Sequence, residues 1–182
     1  MKSHILEIRD DWKALEYQEQ RIGSASIVIE YQDEGYYFME LVDDYALYHI
    51  QTRIPVRCLK INGDIVMVDD PLHWIGMQRL AEASSGRVLV GGLGLGIVVR
   101  HLVNNQHVSS IEVIELNEDV IKMVSPLLPD DPRIKVIQGN IFEYMMSKDE
   151  YTTVINDIWV KKHRHKGHEK WHPVITTHRD QT

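Results

Sequence analysis

The residues with most chemical potential lie in the second half of the chain. Gly91-Gly92-Leu93-Gly94-Leu95-Gly96 stands between the apolar run Val88–Val90 and the helix-spaced Ile97–Asn104. Glycine lets the backbone turn sharply and approach a ligand, and the free amides of the following helix favour negative charge. Such a loop alone also describes a tight strand-to-helix turn. Glu115, 19 residues after Gly96 and at the end of the next apolar run, adds a carboxylate where it can accept both hydroxyls of a ribose. Two nucleoside cofactors use this geometry, NAD and S-adenosylmethionine. The dinucleotide fingerprint requires G-x-G-x-x-G, but counting from Gly92 puts Ile97 at the last glycine, and counting from Gly91 puts Leu93 at the second. The spacing disfavours NAD. Asp157 closes a further apolar run, Thr152–Asn156, and so falls where open α/β sheets bind ligands; a cap on a following helix is its alternative role. Near the end, His168-Glu169-Lys170-Trp171-His172 has the order H-E-x-x-H of a zinc hydrolase helix. Such a helix is otherwise apolar and has a third ligand downstream, whereas this one follows Lys161-Lys162-His163-Arg164-His165-Lys166. It reads as a solvated basic segment with no metal, and a zinc hydrolase ranks third among the possible functions.

These residues require elements to hold them. From Arg87 onward strand, turn and helix alternate: Val88–Val90 then Ile97–Asn104, Ile111–Leu116 then Val120–Leu128, Ile134–Ile137 then Ile141–Ser147, and Thr152–Asn156 as a fourth strand. Continuous apolar strands separated by helices predict a parallel sheet covered on both faces. The residues after Asp157 leave room for a helix over about 158–170 and a short strand at Val174–Thr177. The first third reads differently. Ser26–Tyr31, Tyr36–Leu41, Tyr45–Thr52 and Val56–Ile61 are short β-branched or aromatic runs, and Asn62-Gly63 before Asp64–Val68 is a two-residue hairpin signal. Antiparallel pairing is the expectation there. Asp70-Pro71 then opens a helix, as N-cap and first-turn proline, that ends at Ser84-Ser85-Gly86.

Four segments in order resemble the class I S-adenosylmethionine-dependent methyltransferases, and within them the spermidine-synthase-like branch. They are Val88 to Gly96 through Arg100; Ile114-Glu115-Leu116-Asn117 with Val120-Ile121; Asp131-Pro132-Arg133-Ile134 running to Gly139-Asn140-Ile141-Phe142-Glu143-Tyr144; and Tyr151 to Asp157-Ile158-Trp159. They cover about 87–159, and Leu59-x-Ile61-Asn62-Gly63 upstream resembles the small β region that precedes the catalytic domain in that branch. The resemblance implies an α/β fold: a shortened Rossmann-like parallel sheet over 71–182, truncated after strand four or five, with order 3-2-1-4-5, preceded by a small antiparallel β region over 1–70. It implies S-adenosylmethionine as cofactor, with Gly92, Gly94 and Gly96 against its methionine part, Glu115 on the ribose and Asn140 facing the adenine. Asn140 is equally placed to cap the helix that begins at Ile141. Asp157 would orient an attacking acceptor and take its proton. Leu95 and Val160 stand where aminopropyltransferases carry acids, and Val66 near where they carry a glutamine. A polycationic acceptor needs carboxylates, so the resemblance implies methyl transfer rather than aminopropyl transfer, to an unknown acceptor. A binding or interaction protein that keeps the scaffold without turnover is the alternative.

Composition bounds the remaining possibilities. The net charge of −7 argues against general affinity for nucleic acid or anionic membrane. Residues 158–182 carry six basic and two acidic side chains, net +4, leaving −11 for the rest. Contact with nucleic acid is therefore expected only through that tail. The longest apolar stretch, from Val88 to Val99, is broken by glycines and too short for a bilayer. The early charges Lys2, Glu7, Arg9, Asp10 and Asp11 leave no signal-peptide core, and Cys58 is the one cysteine. The expected location is the cytoplasm. A sheet ending at its fourth or fifth strand has an edge in need of a partner, which predicts a homodimer with the tail in or beside the interface.

Overall fold

The computed structural model describes residues 4–7, 15–40, 45–146, 151–158 and 177–178. Beyond Ile158 the predicted helix over 158–170 lies outside them, as do His168, Glu169 and His172.

The parallel sheet forms over the predicted strand segments from Arg87 onward. Its strands are β8 (Gly86–Gly91), β9 (Val108–Glu115), β10 (Ile134–Gln138), β11 (Thr153–Asn156) and β12 (Thr177–His178), in the order β10-β9-β8-β11-β12. Numbered within this sheet, that is 3-2-1-4-5. Register sets Val88 opposite both Ile111 and Thr153, and Ile111 opposite Ile134. The last strand runs antiparallel to β11 and pairs only at Thr153 and Val154. Both faces are covered, which is why Val88, Leu89 and Val90 are all fully buried. Val88, Val90, Ile111, Val113 and Ile155 face one large cluster, and Leu89 and Ile114 face a smaller one with Ile141. The fold is α/β and Rossmann-like, with strand order reversing beside β8.

Local chemistry sets the helix limits. Helix α1 (Pro71–Glu82) starts at Asp70, whose carboxylate accepts from the His73 amide at 2.8 Å. Helix α2 (Ile97–Val103) follows the glycine loop directly. Helix α3 (Glu118–Val124) begins two residues earlier than its apolar spacing suggests, because the Asn117 side chain accepts from the Asp119 amide at 2.9 Å. It ends in a 3₁₀ turn at Ser125–Leu127, where Pro126 has no amide to continue it. Helix α4 (Ile141–Met146) covers the smaller cluster.

The first third forms two sheets, antiparallel as expected except for one parallel pair. Strands β2 (Gln20–Ile22), β3 (Ala25–Gln32), β6 (Ile54–Ile61) and β7 (Asp64–Val68) form one antiparallel sheet in that order. The β6–β7 turn is the expected one, with positive φ at both Asn62 and Gly63. The hairpin of β4 (Gly35–Glu40) and β5 (Tyr45–Ile50) is set apart, because β3 and β6 pair directly along their whole lengths. Strand β1 (His4–Glu7) joins that hairpin and runs parallel to β5. Parallel neighbours need a long connection, and the span from residue 8 to 44 supplies it. Strands β1 and β2 carry no sustained alternation, so the sequence did not announce them.

Leu15, Tyr17, Ala25, Ile27, Leu59 and Met67 belong to the same buried cluster as the parallel sheet. The four-stranded sheet therefore packs over the carboxyl edge of β8, and this docking shapes the site. No helix among the described residues is long and apolar enough to cross a membrane.

Candidate functional site

A cavity of about 360 Å³ opens at the carboxyl ends of the parallel strands, within the range usual for small-molecule sites. Gly92, Gly94, Glu115, Asn140 and Asp157 all line it. They reach it from four strand ends, because the order of the sheet sets Asn140 beyond β10, Glu115 at β9, the glycine loop beyond β8 and Asp157 beyond β11. Leu59, Ile61, Val66 and Met67 of the antiparallel sheet form its roof.

The glycine loop is shaped by close approach. Gly92 has φ +90°, and a Cβ there would lie 2.6 Å from the Asp157 backbone carbonyl. The Asp157 amide in turn donates to Gly91 at 2.8 Å, so β8 and β11 leave the sheet together. Gly94 has φ +51°, and a Cβ there would meet the Met67 thioether, which would have to move aside. Gly96, with φ +74°, stands at the start of α2, where a Cβ would meet Leu128 and Val124, and it does not line the cavity.

Glu115 has two partners in the chain. One carboxylate oxygen accepts from the buried Leu93 amide at 2.8 Å, and the other from the Asn117 amide at 2.8 Å. It thereby braces the glycine loop and the entry to α3 at once. A carboxylate oxygen has two lone pairs, so each can still accept a hydroxyl from the cavity. Asn140 is the cap of α4: its carbonyl accepts from the Phe142 amide at 3.1 Å and its amide donates to Glu143 at 3.2 Å. Asp157 is buried at the end of β11.

The wall between Glu115 and Asn140 is apolar, made by Ile114, Leu116, Gly139, Ile141 and Phe142. Leu116 is 71% exposed and Phe142 54% exposed, and both stand at the mouth, where a flat ring would cover them. Helix α4 is fastened to β9 by Tyr144, whose hydroxyl donates to Glu112 at 2.7 Å; Tyr151 donates to the same carboxylate and Lys135 lies 3.1 Å away. Burial would raise the Glu112 carboxyl, but the hydrogen bonds from Tyr151, Tyr144 and Lys135 outweigh it and bring it down to about 2.

The region before α1 is tied to the site at three points. The Asp119 carboxylate accepts from the Ser24 amide and hydroxyl, each at 2.8 Å, and these bonds hold its pKa below the ordinary value. The Tyr17 hydroxyl donates to the Leu95 carbonyl at 2.9 Å, and burial raises its pKa against the opposing effect of Arg100. The Met67 sulfur accepts from the Leu95 amide at 3.0 Å. Neither Tyr17 nor Met67 was singled out from the sequence. Each reads as an apolar core position, and the only signal was the composition of Asp64–Val68 beside the hairpin.

No protein-family model and no curated protein matches the chain. Among solved structures it is similar to a spermidine synthase in complex with the transition state analogue AdoDATO, at 18% identity and a TM-score of 0.43, over 57% of this chain and 42% of that one. It is also similar to the spermidine synthase from Thermotoga maritima, at 15% identity and a TM-score of 0.43, over 81% of this chain and 56% of that one. The chain thus spans about half the length of these two synthases.

Proposed function

We propose that the cavity binds S-adenosylmethionine and that the chain transfers a methyl group to a small acceptor beside Asp157. The observation that carries this reading is the convergence of Glu115, Asn140, Asp157 and the glycine loop on one cavity at the carboxyl edge of the sheet. Glu115 would hold the ribose hydroxyls on the lone pairs its two backbone partners leave open. The apolar wall of Ile114, Leu116, Ile141 and Phe142 would cover the adenine, with the Asn140 carbonyl accepting from the ring amine while it caps α4. When bound, S-adenosylmethionine supplies an electrophilic methyl group on a sulfonium. The Asp157 carboxylate would orient the acceptor and take up the proton it loses, and its burial keeps water from competing for that oxygen.

Calorimetric titration with S-adenosylmethionine, S-adenosylhomocysteine and NAD tests the binding; NAD binding alone would refute it. Asp157→Asn should keep cofactor affinity within a few-fold and abolish transfer to any acceptor that the intact protein methylates. Unchanged turnover would give Asp157 a structural role only. One observation favours a second reading, an adenosine-binding module without turnover: the Met67 thioether rests on the glycine loop where a ligand's tail would lie.

A further inference from the structure

The strand order gives direction to any ligand held by Glu115. An adenosine with its ribose there and its base on the apolar wall toward Asn140 points its 5′ carbon toward β8 and β11, that is, toward Gly94 and Asp157. At that end the loop already has an occupant. The Met67 sulfur accepts from the Leu95 amide at 3.0 Å and would lie 2.5 Å from a Cβ on Gly94. The Leu95 peptide has little freedom to turn away, since its carbonyl accepts from the Tyr17 hydroxyl at 2.9 Å, and that hydroxyl receives the Arg100 Nε at 3.2 Å. Leu95 and Tyr17 are both buried. Methionine is unbranched, with several rotatable bonds, so the side chain can swing where the loop cannot.

Resting on the reading of the cavity as an adenosine site, we infer that Met67 determines how much of the ligand the site accepts. In its seat on Gly94 and Leu95 it admits the nucleoside. An amino-acid tail on the 5′ position enters only by displacing the thioether, after which polar atoms of the tail take over the Leu95 amide. Met67 is then the specificity-determining residue between adenosine and its tailed derivatives.

The experiment titrates the full chain, Met67→Ala and Met67→Leu with adenosine and with S-adenosylhomocysteine, after melting curves have established that each variant is folded. In the unsubstituted chain the homocysteine tail should improve affinity by less than about threefold. Met67→Ala should raise affinity for S-adenosylhomocysteine roughly tenfold and leave adenosine within about threefold. Met67→Leu keeps the bulk without the sulfur and should retain the unsubstituted ratio. Equal changes for both ligands in Met67→Ala, no change for either, or a leucine variant that behaves like alanine would overturn the assignment while leaving the adenosine site in place. If neither ligand binds any of the three proteins, the reading of the cavity falls and the role of Met67 with it.

Discussion

Glu115→Gln separates two roles that the structure gives to one carboxylate. Both of its oxygens accept backbone amides at 2.8 Å, one from Leu93 in the glycine loop and one from Asn117 at the start of α3. Glutamine has nearly the same shape, so it can keep one of these bonds, but its NH₂ then faces the other amide, donor against donor. One charge-assisted hydrogen bond is lost, about 1.5–3 kcal/mol, and Leu93, almost fully buried, has no water to replace it. For a chain of this length, a loss of about 2 kcal/mol lowers the melting temperature by roughly 4–8 °C without any ligand present. Binding suffers separately. If the ribose hydroxyls donate to the same oxygens, loss of the negative charge weakens S-adenosylhomocysteine by about 10- to 100-fold, measured well below the variant's melting temperature. Glu115→Asp is the control that keeps the charge but, one methylene shorter, cannot reach both amides, so it should show the melting shift as well. A lowered melting temperature with unchanged affinity would make Glu115 a brace and nothing more. An unchanged melting temperature would refute the hydrogen-bond geometry itself.

Gly94→Ala combines a positive φ with an overlap on Met67 and should destabilise by about 1–3 kcal/mol; in a Met67→Ala background the penalty should shrink, and strict additivity in denaturant titrations would refute the contact. Burial raises Asp69 from 3.8 to about 6 and lowers His73 from 6.5 to about 4. The Asp69 contribution is present below its unfolded pKa and is lost as pH rises through about 6. The His73 contribution is present above 6.5 and is lost as pH falls through about 4. Their slopes oppose between about pH 4 and 6, so Asp69→Asn should unmask a rise in stability with pH of up to about 3 kcal/mol, and urea titrations with the same pH slope as the intact chain would exclude it. Among the described residues β11 pairs with β12 only at Thr153 and Val154, leaving Ile155 and Asn156 at an edge; light scattering near twice 21.2 kDa is expected for the proposed homodimer, and a stable monomer would reject it.

The parallel half was legible because two signals coincide there. Val88-Leu89-Val90 is apolar without alternation, which a sheet covered on both faces accommodates, Val113-Ile114 repeats this on a shorter scale, and the two runs are followed by Gly92 and the capping Asn117. The first third had only half of that information. Alternation tells which face a residue takes but not which strand it pairs with, so β3 and β6 were recognised as strands while their direct pairing and the separate β4–β5 hairpin were not. Glu115 and Asp157 could be placed from strand ends alone. The role of Asn140 as a cap was likewise open to the sequence, since its helix begins at the next residue. A run of glycines does not say which of them lines the cavity and which packs against the chain behind, as Gly96 does against Leu128 and Val124.

Met67 illustrates why the remainder was illegible. It stands in a short strand between Val66 and Val68, it is nearly fully buried, and on both grounds it is a core residue. Its place at the loop depends on how one sheet docks against another, with Leu95 28 positions further along the chain. The same docking explains why the antiparallel region is more than an appendage. Of the three side chains that hold the peptide from Leu93 to Leu95, Glu115 comes from the parallel sheet, whereas Tyr17 and Met67 come from the region before it. The glycines allow the loop its shape without selecting it, since glycine reaches many conformations at similar energy. What selects the shape is this set of three partners, and one of them, Met67, lies on a strand that also forms the roof of the cavity. Any ligand that changes the loop must therefore work against the docking of the whole four-stranded sheet, and one that moves only the Met67 side chain need not.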